Sequence, residues 1–427
     1  MPLPTAPETE PAPSAQSQRA LDWLNFFVAD AQTGFGPFLA VYLAAAGWHQ
    51  GEIGLVLTAS AVAGMASQVP GGLLVDAAQS KTRVMGVALG LIAASGVLLF
   101  LSHSFWLVML AQVTYGATAG LVGPARNAIG LGLVGHTALS RRLGRNNRFN
   151  ACGNAGTAGV MGVLAQYVGK QWSFMLSALL CIPALLALRR IRPEEIDNDR
   201  ARGGRARGAR PGDDGAAPAR YIDLLRNRQL MVFSLVLILF QMANASAIPL
   251  TAERLGEQDM SRSSLILAGL VLVPQVLAAV LATRVAALAD EWGRKPLLLV
   301  AFAALTVRIV LFSVVPDPLW LLPLQLLSGV EAAVLGLLTP LVVADVVLGS
   351  GRYNLAQGAV GIATGLGAAV STVVVGYVVQ WSSYTAGLYM LAVAAAAGFA
   401  AVLVLLRETR DVPVMDAVSL TNCPVTN

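Results

Sequence analysis

Twelve apolar stretches recur along the chain, at 21–46, 53–75, 84–102, 105–131, 149–169, 171–190, 229–252, 264–288, 296–315, 318–347, 354–380 and 384–406. Each is close to the roughly 20 residues that cross a lipid bilayer as a helix. The runs are continuous and lack the period-two alternation of membrane β-strands. The expected class is therefore an all-α membrane protein with about 12 transmembrane helices. Composition agrees, with 56% hydrophobic and only 12% charged residues, about half the charge of a soluble domain.

A polar break at 191–228 contains R-P-E-E-I-D-N-D-R and A-R-G-G-R-A-R-G-A-R. It divides the chain into bundles of six helices at 21–190 and 229–407, with tails at 1–20 and 408–427. An internal repeat supports this division. Pro37 aligns with Pro249, Asp76 with Asp290, Gln112 with Gln325 and Gly116 with Gly329, at offsets of 212–214. Residues 1–20 are rich in Pro, Ala, Ser and Glu. They read as a disordered tail, because a basic stretch followed by an apolar core, as in a signal peptide, is absent.

The net charge of +5 invites a nucleic-acid reading, but its distribution is topological. The loops after stretches 2, 4, 6, 8 and 10, the break and the tails hold nearly all Lys and Arg, among them Lys81, Arg83, Arg141, Arg142, Arg145, Arg148, Arg294, Lys295, Arg352, Arg407 and Arg410. The opposite loops hold Lys170, Arg254 and Arg262. Positive loops stay in the cytoplasm, so both termini are expected there and no nucleic-acid partner is implied. Cys152, Cys181 and Cys423 lack metal-ligand spacing and imply no disulfide framework. No metal or cofactor is expected.

Two loops echo each other. The first reads P-G-G-L-L-V-D-A-A-Q-S-K-T-R (70–83) and the second A-A-L-A-D-E-W-G-R-K-P (286–296). Each ends an apolar run in small residues, places one Asp, and turns through basic residues into the next run. Small residues let a neighbouring helix approach closely. The pair resembles the G-x-L-x-D-[RK]-x-G-R-[RK] signature of the major facilitator superfamily. Asp290, Gly293, Arg294 and Lys295 match it in the second copy, where Glu291 departs. Gly72, Leu74 and Asp76 match in the first, where Ala77 and Ser80 replace a basic residue and a Gly. The resemblance covers roughly 21–410. It implies two parallel six-helix repeats around a central site near the midplane, and Asp76 and Asp290 loops that latch the cytoplasmic side.

Ionisable groups inside a bilayer cost ~2.5–3.5 kcal/mol on insertion scales and mark function. Asp30 lies in A-D-A-Q-T-G-F-G-P, beside Gly and Pro that let the helix bend; it reads as a proton site or as a helix-end acid at the interface. Arg126, in G-P-A-R-N, stands at similar depth and either pairs with Asp30 or reaches out to lipid phosphate. Glu331, in S-G-V-E-A-A-V, reads as an unpaired carboxylate near the middle of stretch 10. Arg308 reads as a cation snorkelling from the ninth stretch. Gln32, Gln112, Tyr115, Gln241 and Asn244 complete the substrate or proton site, with Asn150 and Asn154 as further polar candidates. The cytoplasmic gate is assigned to Gly72, Asp76, Arg83, Asp290, Gly293, Arg294, Lys295, Asp345 and Arg352. Glycines at 153, 156, 159, 162, 358, 361 and 365 read as close packing where the halves rock.

The resemblance implies a secondary transporter of the bacterial inner membrane, monomeric, working by alternating access. Its partners are a small organic substrate, protons and the lipid bilayer. Proton-coupled export is the first choice; proton-coupled import or facilitated passage is the alternative, and a non-transporting receptor or scaffold is a third. Two departures set the chain apart from the superfamily's drug antiporters, as resemblance would have them. Gln112 stands where their fourth helix carries Arg, and stretch 5 lacks their Gly-Pro pair. An enzyme is disfavoured, since H-E-x-x-H, G-x-S-x-G and G-x-x-x-x-G-K-[ST] are all missing.

Overall fold

The computed structural model describes residues 13–33, 39, 42–43, 46–169, 171–204, 226–251, 260–315 and 320–410. The long helices are α1 (Ala15–Thr33), α2 (Gln50–Ala77), α3 (Lys81–Leu101), α4 (Phe105–Val134), α5 (Leu139–Tyr167), α6 (Trp172–Arg189), α7 (Arg228–Asn244), α8 (Met260–Glu291), α9 (Arg294–Val314), α10 (Leu321–Val346), α11 (Tyr353–Trp381) and α12 (Tyr384–Val404). Among the described residues ten helices are long and apolar enough to cross a membrane. The other two, α1 and α5, carry charge in their N-terminal parts: Arg19 and Asp22 in α1, and Arg141, Arg142, Arg145 and Arg148 in α5.

Local sequence explains the abrupt starts. Asn227 accepts the Leu230 N–H at 3.1 Å and Ser383 accepts that of Ala386 at 3.2 Å, each supplying one donor group of a new helix with the partner it lacks. Pro70, Pro124, Pro183, Pro274 and Pro340 lie inside helices, where each removes one backbone hydrogen bond and favours a bend. Residues 245 and 246 interrupt helical geometry just before Pro249.

The two halves use the same packing plan. In the first, α1 packs on α5, α2 on α4, and α3 on α4 and α6; in the second, α7 packs on α11, α8 on α10, and α9 on α10 and α12. The halves meet through α5 with α8 and α2 with α11, again a symmetric pair. Large apolar side chains such as Trp106, Trp320, Trp381 and Tyr167 face outward, which a lipid solvent allows and water penalises.

Three sequence expectations change here. Helix α1 begins at Ala15, so residues 15–20 belong to the first bundle and not to a disordered tail. Ser14 N–H and Oγ donate to Glu195 at 3.1 and 2.9 Å, and Arg192 N–H donates to Ser17 Oγ at 3.1 Å. The start of the linker is structured too: Ile196 and Ala201 are buried, and Asp197 N–H donates to the Gly132 carbonyl at 3.1 Å. Ile196 and Ala201 are isolated apolar residues among the charges of 193–204, and overall polarity concealed the docking they allow. Likewise the C-terminal bundle extends past 407, since Thr409 is buried and Glu408 caps α9.

Candidate functional site

Two polar assemblies stand out. One closes the end of the molecule where Ser14, residues 192–204 and Arg410 pack, called here the terminal end. The other lies inside the second half.

At the terminal end, Asp76 finishes α2 and points into the start of α11. Its Oδ1 accepts from Asn354 Nδ2 at 2.8 Å and from Asn354 N–H at 3.3 Å; its Oδ2 accepts from Leu355 N–H at 2.9 Å. Asn354 and Leu355 are the second and third residues of α11. A carboxylate from one half therefore caps a helix of the other, meeting its unpaired N–H groups and the positive end of its dipole. Gly72 makes this approach possible, because a Cβ there would fall onto the Asn354 carbonyl. Gly358 faces the Gln68 carbonyl in the same way.

The repeat places Asp290 against the start of α5, where it accepts from Ser140 Oγ at 2.6 Å. Asp76 and Asp290 are 214 residues apart, as are Ser140 and Asn354. The two latches are thus symmetric in position but unequal in strength. Asp76 is 2% exposed and accepts backbone and side-chain donors. The Asp290 side chain is 40% exposed and its pairing with Arg294 is long, at 3.9 Å.

Between the latches, Arg294 Nε donates to Asp345 Oδ2 at 2.9 Å and its Nη1 donates to the Ala289 carbonyl at 2.7 Å. The His136 Nε2 lies 2.8 Å from Asp345 Oδ1, across the boundary between the halves. Gly293 turns with φ +93°, a left-handed conformation that favours glycine. Glu408 accepts the N–H groups of Arg294 and Lys295 at 2.8 and 3.0 Å. Partial burial opposes its charge, but backbone N–H donors from Arg294, Lys295, Arg410 and Thr409 hold its carboxyl below the ordinary range. A depressed carboxyl stabilises the fold above its unfolded-state pKa and loses that contribution as pH falls through its folded value. Wild type is accordingly expected to lose thermal stability more steeply than Glu408→Gln between pH 5 and 3, read as melting temperature against pH.

Arg83 stands apart from these contacts: it is exposed, and its backbone N–H donates to Ser80 Oγ at 3.3 Å. Lys81 takes the structural role instead, its Nζ donating to the carbonyls of Val75 and Ala78 at 2.6 Å each and capping the end of α2. It is 1% exposed. Arg352 is the N-cap residue of α11. Asn354, His136 and Glu408 were missed because a helix-cap partner and an inter-half contact leave no spacing signal along the chain.

Removing the Asp76 carboxylate tests the stronger latch. An N-cap is worth about 1–2 kcal/mol, and the contact exists only while the halves meet. Asp76→Ala is therefore expected to raise the labelling rate of a thiol introduced at buried Leu355 by about 5–30-fold.

The second assembly joins α7, α9 and α10. Arg308 is 0% exposed and Glu331 2% exposed. The guanidinium donates through Nε to Glu331 Oε1 and through Nη2 to Oε2, both at 2.9 Å. The same Nη2 donates to Asn244 Oδ1 at 2.6 Å, and the Phe312 ring lies 5.6 Å from the guanidinium carbon. Nη1 has no hydrogen-bond partner among the described residues. Two sequence readings are overturned. Glu331 is not an unpaired carboxylate, and Arg308 does not snorkel. At about 9 Å from the end of α9, its side chain turns inward because a two-oxygen partner waits there. A planar guanidinium suits that bidentate pairing.

The remaining candidates scatter around these assemblies. Asp30 and Gln32 lie on α1, but their side chains are outside the described residues, so the Asp30–Arg126 pairing is too. Arg126 lies on α4, where the next residue, Asn127, donates to Gln357 of α11 at 3.1 Å. Gln112 and its repeat partner Gln325 are both buried, and Nε2 of each has no hydrogen-bond partner among the described residues. Tyr115 is buried on α4, and Gln241 is half-buried on α7 against Gly367 of α11. Asn154 donates to Asn150 at 3.4 Å within α5. Of the glycines, 358 and 361 face Gln68 across the halves, Gly153 packs on Phe26 inside one half, and Gly159 borders open space. Among the described residues no cluster of His, Cys, Asp and Glu is fit to hold a metal.

Two pseudo-symmetric six-helix bundles, meeting through α2–α11 and α5–α8 and latched at one end by the paired Asp loops, define the class of a two-bundle membrane transporter. The chain belongs to the Major Facilitator Superfamily, which it matches over residues 21–345 and 242–416. It is similar to two proteins called uncharacterized MFS-type transporters, from Mycobacterium tuberculosis strains CDC 1551 / Oshkosh and ATCC 25618 / H37Rv. Each is 38% identical over 394 residues, covering 92% of this chain and 94% of theirs. The protein is an integral membrane protein of a transporter family.

Proposed function

We propose that this protein exports a small organic compound in exchange for protons, by alternating access. The terminal end faces the cytoplasm, as its Lys and Arg require, and the latched arrangement is the outward-facing one. The observation that carries the reading is the buried Arg308–Glu331–Asn244 cluster. A charged pair in the membrane interior is costly, and a fold needing only packing would fill the place with apolar side chains. A carboxylate held by one arginine can instead exchange that partner for a proton as the helices shift. Glu331 and Asp30 are the proposed proton sites, one in each half. Gln112, Tyr115, Arg126 and Gln241 are the proposed polar lining for the substrate.

The test uses proteoliposomes with an internal pH dye and an imposed proton gradient, challenged with a panel of drugs, metabolites and metal chelates. Wild type is expected to move protons against substrate for at least one compound, and Glu331→Gln to lose that flux about 100-fold or more, the scale of a lost proton-transfer group. Protons moving together with substrate would reverse the direction. Equal proton flux from wild type, Glu331→Gln and Asp30→Asn would remove both acids from coupling.

A further inference from the structure

We propose that a groove between α1, α5 and α8 at the terminal end is a binding site for an anionic phospholipid of the facing leaflet. The groove encloses about 760 Å³. Arg141, Arg145 and Arg148 form its rim. They follow one another at intervals of four and three residues, so they share one face of α5 and span about 10 Å along it. All three are exposed. Asp22 is the buried counter-charge nearby, and it is shared between Arg142 and Arg145. Against four guanidinium groups stand Asp22 and, one turn beyond the Ala286 wall, Asp290 bonded to Ser140, which leaves the rim with a local excess of positive charge.

The floor has the opposite character. Trp23, Phe26 and Phe149 meet edge to face there, with the Trp23 ring 5.6 Å from Phe26 and 6.1 Å from Phe149. Ala286 and Ala287 of α8 form the far wall. Trp23 is 51% exposed, a position suited to the headgroup level of a bilayer. Cations at the rim and an apolar trough running into the membrane match one ligand chemistry: a phosphodiester carrying net negative charge and attached acyl chains. Guanidinium groups bind phosphate oxygens bidentately, and a zwitterionic headgroup brings its own cation into an already positive rim. The two walls belong to different halves. A lipid seated here touches both beside the Ser140–Asp290 contact and favours their closed meeting.

The experiment uses the full chain in lipid nanodiscs and reads Trp fluorescence quenched by brominated lipids, with Trp23→Phe defining the share of the signal that reports on the groove. Brominated phosphatidylglycerol is expected to quench the Trp23 signal more than brominated phosphatidylcholine at equal mole fraction. The double variant Arg141→Gln/Arg148→Gln is expected to weaken that preference about tenfold or more in apparent affinity, and Arg141→Lys/Arg148→Lys to keep most of it. Both positions are exposed, so folding is not at stake, and phosphatidylglycerol retained in native mass spectra of the same variants gives a second readout. Equal quenching by the two lipids, or a preference that survives the glutamine variant, overturns the proposal. Inorganic phosphate displacing the brominated lipid as well as unlabelled phosphatidylglycerol does would assign the groove to a free anion, and overturns it also.

Discussion

Replacing Arg308 with Met is expected to destabilise the protein by about 3–5 kcal/mol, the cost of leaving a buried carboxylate without its partner. Both oxygens of Glu331 lose their donors, and the Asn244 amide oxygen loses its own. Glu331→Leu alone strands the guanidinium instead and is expected to cost a similar amount. The double variant, Arg308→Met with Glu331→Leu, removes both charges at once. Apolar replacement of a whole buried pair is often neutral or stabilising, so the double variant should regain most of the lost stability. Thermal denaturation in one detergent across the four proteins gives the coupling directly. The transport assay on the double variant then separates two roles. A pair kept only for packing would leave transport intact once stability returns. A pair that carries the proton would leave a stable protein that does not couple.

The second large effect is expected at Gly72. A side chain at this position falls on the Asn354 carbonyl, and backbone cannot be moved aside as the tip of a long side chain can. Gly72→Val should therefore hold α2 and α11 apart and prevent Asp76 from reaching the start of α11. Moving a two-state equilibrium from one end to the other takes about 5.5 kcal/mol, which a backbone clash together with a lost cap can approach. Spin labels at exposed Gln79 and Glu291 sit in opposite halves at the terminal end. Their separation is expected to shift from mainly short in wild type to mainly long in the variant. Unchanged distances would show that the halves meet without this contact. Gly159, which borders open space on α5, should accept Ala without any such shift.

Hydrophobic length and the positions of Lys and Arg were sufficient, from sequence, to define a helical membrane protein built twice over. Both properties are local: a stretch either can cross a bilayer or cannot, and a charge either stays out or exacts a cost. The loop motif was legible for a related reason. An Asp, a glycine turn and basic residues lie within one short segment, so Asp76, Asp290, Gly293 and Arg294 could be named before their partners were known. The partners were not legible. Asn354, His136 and Glu408 come to the terminal end from remote segments, the first two through the meeting of the two bundles and Glu408 through packing within the second. Arg308 shows the limit most sharply. On its own helix it reads as a cation near an apolar end, free to snorkel outward. Glu331 reads as an acid with nothing to pair it. Each reading held only while the other residue was out of view, because hydrogen-bond partners 23 residues apart on adjacent helices share no periodicity. Tertiary packing decided that two costly charges meet, by closing α9 against α10 and leaving each the other's nearest way to be satisfied.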